Sequence, residues 1–208
     1  MREGRVDPSL IGRILKAIGQ LPEPVYYPSD DSFLMLDAIS DIPFQGKDVL
    51  DIGTGSGILG LFCAMQGANV TISDVNELAI RYALRAAEAL GVKLNPVLSD
   101  LFSNVNGKFD SVLFNPPYLS SVRVKDQAVD GGLKGIALAR NFLRDLPLHL
   151  QKNGTAFLLL SNLNRPEVLL AEHPEFQFTV KAKRNLFFEQ LEALVLQLRQ
   201  DFAEGSDS

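Results

Sequence analysis

Apolar residues near the start of the chain recur at helical spacing. Leu10, Ile11, Ile14, Leu15 and Ile18 share one side of a helix expected over residues 8–19. Asp7-Pro8 supplies an N-cap followed by proline at the first helical position, and Pro22 and Pro24 end the run. Residues 25–32 read as a loop, and a second helix is expected over 31–40, before Pro43. From residue 47 short apolar runs alternate with helical stretches. Residues 49–52, 69–73, 95–98, 110–114 and 155–161 read as strands, and 58–66, 77–90 and 133–150 as helices. Asn76 caps the second of these helices, Gly91 closes it, and Pro147 is expected to kink the third. Residues 176–182 and 191–198 are joined by a segment with no helical run, which predicts a closing hairpin.

Strands alternating with helices predict an α/β fold, a mostly parallel sheet covered on both faces. In such sheets ligands bind beyond the carboxyl ends of the strands, where the strand order reverses. Asp51, Asp74, Asp100 and Asn115 all fall at such ends. The chain divides into an N-terminal helical extension (1–24), a main domain (25–200) and a tail expected to be disordered (201–208).

Composition narrows the function. With 46% hydrophobic and 22% charged residues among 208, the chain has the makeup of a globular domain. Residues 1–20 mix charge into their apolar stretch, unlike a secretory signal. A single cysteine, Cys63, excludes an internal disulfide and a multi-cysteine metal site, no metal is expected, and a reducing cytoplasmic setting fits. The net charge of −5 gives no global attraction to polyanions, though it leaves room for a local basic patch.

Asp51-Ile-Gly-Thr-Gly-Ser-Gly57 follows a strand and opens a helix. Its Gly-x-Gly-x-Gly spacing differs from the dinucleotide fingerprint, and a carboxylate just ahead of the loop would repel a pyrophosphate. Asp51 would instead attract an amino group or a sulfonium. Asp74, 23 residues later, can accept hydrogen bonds from two ribose hydroxyls; as a bare helix-start acid it would complement the dipole. Asp100 can accept from an adenine amino group, or be no more than a loop aspartate.

Asn115-Pro116-Pro117-Tyr118 is the most specific motif. Two prolines stiffen the backbone and remove two N–H donors, so this strand end presents acceptors, the Asn115 side-chain oxygen and the Pro116 carbonyl. An NH2 group held between them would donate both protons and turn its lone pair toward a methyl donor. Tyr118 adds a flat stacking face. The alternative is a rigid turn ending a buried strand.

These motifs resemble the class I S-adenosylmethionine-dependent methyltransferases over residues 25–200. The resemblance implies a Rossmann-like, seven-stranded, mostly parallel sheet with an antiparallel closing hairpin. It implies S-adenosyl-L-methionine as cofactor, with Gly53, Gly55 and Gly57 against it. Asp51 would lie near its methionine amino group, Asp74 on the ribose, and Asp100 with the Leu101 backbone at the adenine. Family members with the Asn115–Tyr118 motif methylate amide or exocyclic nitrogens. Val25-Tyr-Tyr-Pro-Ser-Asp-Asp-Ser-Phe-Leu34 is similar to a segment of the archaeal and eukaryotic HemK relatives, matching at Tyr26, Pro28, Asp31, Ser32, Phe33 and Leu34 and departing at Tyr27, Ser29 and Asp30. This implies that Ser32 touches the cofactor. Asp130-Gly-Gly-Leu-Lys-Gly135 and the stretch Leu186 to Val195 resemble further segments of the same group. The implied reaction is N5-methylation of the glutamine in the Gly-Gly-Gln loop of a class 1 release factor, often with a small zinc-binding activator subunit. An RNA or DNA exocyclic-amino methyltransferase is the alternative. His149 and His173 read as surface residues, Cys63 as a small buried residue, and Lys181, Lys183 and Arg184 as a solvated strand end rather than a nucleic-acid patch.

Overall fold

The structure, a computed structural model, describes residues 6–116, 130–187 and 189–200. The expected tail, 201–208, lies outside these residues. Helix α1 (Pro8–Ile18) is capped by Asp7, whose carboxylate accepts the Ser9 amide at 2.9 Å. Then come α2 (Asp30–Ile39), β1 (Asp48–Ile52), α3 (Ile58–Met65), β2 (Asn69–Asp74), α4 (Glu77–Leu90), β3 (Leu94–Leu98) and β4 (Phe109–Phe114). The remainder is α5 (Asp130–His149), β5 (Leu150–Ser161), a short 3-10 turn (Asn162–Asn164), α6 (Pro166–Ala171), β6 (Phe176–Asn185) and β7 (Gln190–Leu198).

All seven strands form one sheet in the order β3-β2-β1-β4-β5-β7-β6. Strands β1 to β5 pair in parallel, and β7 runs antiparallel to both β5 and β6. The order reverses between β1 and β4, so the expected crevice lies over the carboxyl ends of these two strands. Alternation along each strand splits the core. Val49, Val70, Ile72, Leu113 and Phe157 pack with α1 to α4. Leu50, Ile52, Val112, Phe114 and Leu158 pack with α5 and α6 on the other face. Ile14 and Ile18 of α1 are buried in the first core, so this N-terminal segment is packed against the domain through α3 and α4.

Two elements differ from the sequence pattern. Strand β5 starts at Leu150, five residues before the expected start, but it pairs with β4 only at Leu150 and again from Thr155, and the turn-like Gln151-Lys-Asn-Gly154 stretch between them bulges out of the ladder. Gly154 permits this, since a Cβ there would meet the Leu150 side chain at 2.9 Å. The 3-10 turn and α6 occupy a stretch too short for helical periodicity to register, though Pro166 marks a helix start. Among the described residues, no helix is long and apolar enough to cross a membrane.

Candidate functional site

A cavity of about 600 Å³ opens at the strand-order reversal. Its walls come from the segments after β1, β2, β3 and β4 and from the approach to α2. Its size lies within the range of small-molecule sites.

Asp51 sits in β1 on the face that packs on α3, and it is buried to 2% exposure. Its Oδ2 accepts the Thr54 hydroxyl at 2.6 Å and the Gly60 amide at 3.0 Å. Gly60 can come this close because it has no side chain; a Cβ there would stand 3.1 Å from the same carboxylate oxygen. Burial pushes the Asp51 pKa up to about 7, with Asp74 adding to the rise, since two hydrogen bonds only partly offset the desolvation. A buried carboxyl with no cation paired to it among the described residues, on the wall of a cavity, suits a positively charged ligand group.

The glycine loop does two jobs. Gly53 and Gly55 line the cavity with positive φ. Gly57 is not among the residues that line the cavity. It opens α3 at φ +82°, and a Cβ there would collide with the Ala83 Cβ of α4 at 2.7 Å. Its size is set by the packing of two helices.

Asp74 ends β2 on the cavity wall. Its Oδ2 accepts the Gly55 amide at 2.9 Å and its Oδ1 the Asn76 amide at 2.8 Å. Both oxygens thus hold backbone as well as facing the cavity, and each keeps acceptor capacity. Asp100 lies on the wall after β3, exposed, followed by Leu101 at φ +46°, a conformation costly for leucine. The Ser99 hydroxyl donates to the Leu101 carbonyl at 2.9 Å and accepts the Asn104 amide at 3.0 Å, which holds the turn. Val75, 68% exposed, gives this end of the cavity an apolar surface that sequence reasoning missed.

Asn115 and Pro116 leave the end of β4 at the other end of the cavity. Asn115 Nδ2 donates to Asp31 Oδ2 at 3.0 Å, while Asn115 Oδ1 is buried and has no partner among the described residues. Asp31, 2% exposed, takes three more bonds. Tyr26 Oη donates to its Oδ2 at 2.9 Å, and the Ser32 amide and hydroxyl donate to its Oδ1 at 2.6 and 3.2 Å. Burial, then the negative charge of Asp31, holds the Tyr26 hydroxyl well above its ordinary pKa, so it stays a donor. Ser32 is buried on the cavity wall, and its hydroxyl also accepts the Ser29 amide at 3.4 Å within the first turn of α2. Tyr26 and Asp31 matched the HemK-like segment, yet nothing in one sequence placed them beside Asn115. Pro117 and Tyr118 lie outside the described residues.

Residues set aside earlier fall as follows. Cys63 is fully buried, which raises its pKa well above normal and leaves no reactive thiolate. His149 stacks on Phe102, with ring centroids 4.5 Å apart. His173 corrects the surface reading: it is 9% exposed, with Nδ1 2.9 Å from Glu175 Oε1. Lys181 pairs with Asp41, Lys183 with Glu192, and Arg184 with Asp30 and Asp37, so this cluster is engaged within the chain. Among the described residues, no three His, Cys, Asp or Glu side chains gather to hold a metal ion.

A parallel sheet closed by an antiparallel hairpin, with acids and a glycine turn at the strand-order reversal, is the architecture of the Rossmann-like methyltransferases. Residues 30–187 match the methyltransferase small domain family, and the chain belongs to it; it is a methyltransferase. A protein of Methanocaldococcus jannaschii, provisionally named a protein N5-glutamine methyltransferase, is 36% identical over 181 residues, which cover 83% of this chain and 91% of that protein. The mouse (Mus musculus) methyltransferase HEMK2 is 32% identical over 159 residues, 69% of this chain and 74% of its own. A ribosomal RNA small subunit methyltransferase C of Chromohalobacter salexigens is 32% identical over 142 residues, 68% of this chain but 39% of its own length. Among solved structures, an E. cuniculi Mtq2–Trm112 complex, described as methylating the eRF1 translation termination factor, superposes with a TM-score of 0.66 at 25% identity, covering 84% of this chain and 98% of that one.

Proposed function

We propose that the chain transfers a methyl group from S-adenosyl-L-methionine to the side-chain amide nitrogen of a glutamine, in the Gly-Gly-Gln loop of a class 1 peptide release factor. The observation that carries this is the Asn115 Oδ1 atom: a buried acceptor without a partner among the described residues, on a side chain of the cavity wall, next to a proline that cannot donate. An acceptor left open in this way calls for a ligand that brings an N–H.

The residues fit the cofactor. Asp74 and Asp100 offer carboxylates to hydroxyl and amino donors, Val75 and Leu101 offer apolar surface, and Asp51 offers negative charge to an amino group. Gly53 and Gly55 let the backbone approach closely. When bound, the cofactor supplies an electrophilic methyl on a sulfonium. Asn115 and Pro116 would hold the amide NH2 through its two protons and fix the direction of its nitrogen. Orientation and electrostatics then do the work, without a covalent intermediate. Pro117 and Tyr118 remain part of the proposed catalytic motif on the sequence alone. The proposal sets the enzyme in the cytoplasm beside the translation machinery. It includes a small activator subunit, in line with the two-protein Mtq2–Trm112 assembly.

An exocyclic amino group of a nucleic-acid base presents the same two donors, and the ribosomal RNA relative keeps this second reading in play. The purified protein, with and without an activator subunit, should be incubated with methyl-labelled cofactor and either a class 1 release factor or ribosomal RNA. Label on the glutamine amide is expected. Label on RNA alone would keep the chemistry and overturn the substrate.

A further inference from the structure

We propose that Asp31 is a positioning residue for Asn115: its carboxylate fixes which end of the amide faces the cavity and so restricts the site to groups that donate N–H. This deepens the reading of the chain as an amide N-methyltransferase and rests on it for the identity of the substrate.

A primary amide has an oxygen and an NH2 of nearly the same shape, and a half-turn exchanges them. At position 115 the choice decides what can bind. With the oxygen toward the cavity the site accepts an NH2 group. With the nitrogen toward it, the site would accept a carbonyl or a carboxylate and leave the substrate nitrogen unheld. The structure contains the element that decides. Asp31 Oδ2 lies 3.0 Å from the amide of Asn115, and a carboxylate offers only acceptors. The end of the amide that faces Asp31 must therefore be Nδ2, and Oδ1 is the end left for a ligand, buried and without a partner among the described residues.

The carboxylate is itself fixed. Its four donors come from Tyr26, Asn115 and both the amide and hydroxyl of Ser32. Asp31 is 2% exposed, so water does not compete for these positions. Its negative charge lies beside the amide that meets the substrate, on a residue that itself lines the cavity. A glutamine amide brings protons to this place; a glutamate carboxylate of the same shape brings only lone pairs and charge. The pair thus discriminates glutamine from glutamate by the penalty on an unpaired, like-charged group.

The test reads the pair directly and through catalysis. In ¹⁵N-labelled protein the side-chain NH2 signal of Asn115 is assigned by its loss in Asn115→Asp. The inference expects that signal to show one strongly hydrogen-bonded proton in the unmodified chain and to move on Asp31→Asn. Asp31→Asn keeps an oxygen for the Ser32 amide. Its unfolding midpoint should fall as the buried bonds from Tyr26 and Asn115 are lost, cofactor affinity should stay near that of the parent, and single-turnover methyl transfer, measured well below that midpoint, should fall about 100-fold or more. Combining Asp31→Asn with Asn115→Asp reverses the pair, placing the donor on α2 and leaving an oxygen toward the cavity. The double variant should be faster than either single variant. An unmoved Asn115 signal with a parental transfer rate in Asp31→Asn would overturn the inference, as would a double variant no faster than the slower single one. If the unmodified protein transfers no methyl to any glutamine, the proposed function fails, while the Asn115 signal still decides the role of Asp31.

Discussion

Asp74 Oδ2 accepts the amide of Gly55 at 2.9 Å, so the acid expected to hold a ribose also holds the glycine loop in place. Removing this side chain has two consequences. Asp74→Ala frees the Gly55 and Asn76 amides and should lower stability by about 1–3 kcal/mol, with cofactor affinity falling by a further 1.5–3 kcal/mol or so for each charge-assisted bond lost. Asp74→Asn keeps one acceptor for the loop and should recover most of the stability but less of the affinity. Chemical denaturation and calorimetry on the same samples separate the two. Unchanged affinity in both variants would mean that the ribose is held elsewhere.

The buried Asp51 predicts a pH dependence of definite sign. Its folded pKa, about 7, exceeds the ordinary value of 3.8, so the folded state binds more protons than the unfolded state between these values. Stability without ligand should therefore fall as pH rises from about 4 to about 7, by up to about 4 kcal/mol from this group, and then level off. Asp51→Asn should remove that slope and be the more stable protein at pH about 8. A cation placed beside Asp51 reverses the pull, so cofactor binding below pH about 7 should release a proton and tighten as pH rises. Calorimetry in buffers of different ionisation enthalpy counts that proton. Affinity that stays flat across this range would remove Asp51 from the ligand.

Asn115→Ala should abolish methyl transfer, by about 100-fold or more, with little change in cofactor affinity, because the lost acceptor acts on the substrate nitrogen. Single-turnover transfer to a purified release factor, with an activator subunit present, measures it. Parental turnover in this variant would exclude the proposed mechanism.

Gly57→Ala should destabilise the fold by about 2–5 kcal/mol, combining a positive φ with a collision against Ala83. Adding Ala83→Gly removes the closest contact but leaves the Ala83 Cα at 3.2 Å and the φ penalty, so only part of the stability should return. A parental denaturation midpoint in the single variant would contradict the packing role.

Residues whose chemistry is set by immediate neighbours were legible in the chain. Short apolar runs locate the strands, and Asp51, Asp74, Asp100 and Asn115 can be assigned to strand ends because each lies within two residues of the end of such a run. Asp31 and Tyr26 could not be tied to Asn115 in this way, since their bonds to one another cross 84 residues of chain between Asp31 and Asn115 and depend on where α2 settles. Gly57 was read with the other loop glycines because the spacing looks uniform; only the approach of α4 distinguishes it. Residues 151–154, turn-like in composition, form a bulge between the two places where β5 pairs with β4.

Helix α2 begins against the far edge of the sheet. Arg184 of β6 donates to the backbone carbonyl of Asp30 at 3.1 Å and to its carboxylate at 2.9 Å, one residue before Asp31. The aim of the Asn115 amide is therefore registered against two references, the end of β4 and, through α2, the closing hairpin. A small error in how that hairpin seats would add little to the unfolding free energy, since exposed ion pairs contribute little. It would nonetheless be transmitted to the atom that meets the substrate. Variants of β6 and β7 belong among those whose damage appears in turnover before it appears in a melting curve.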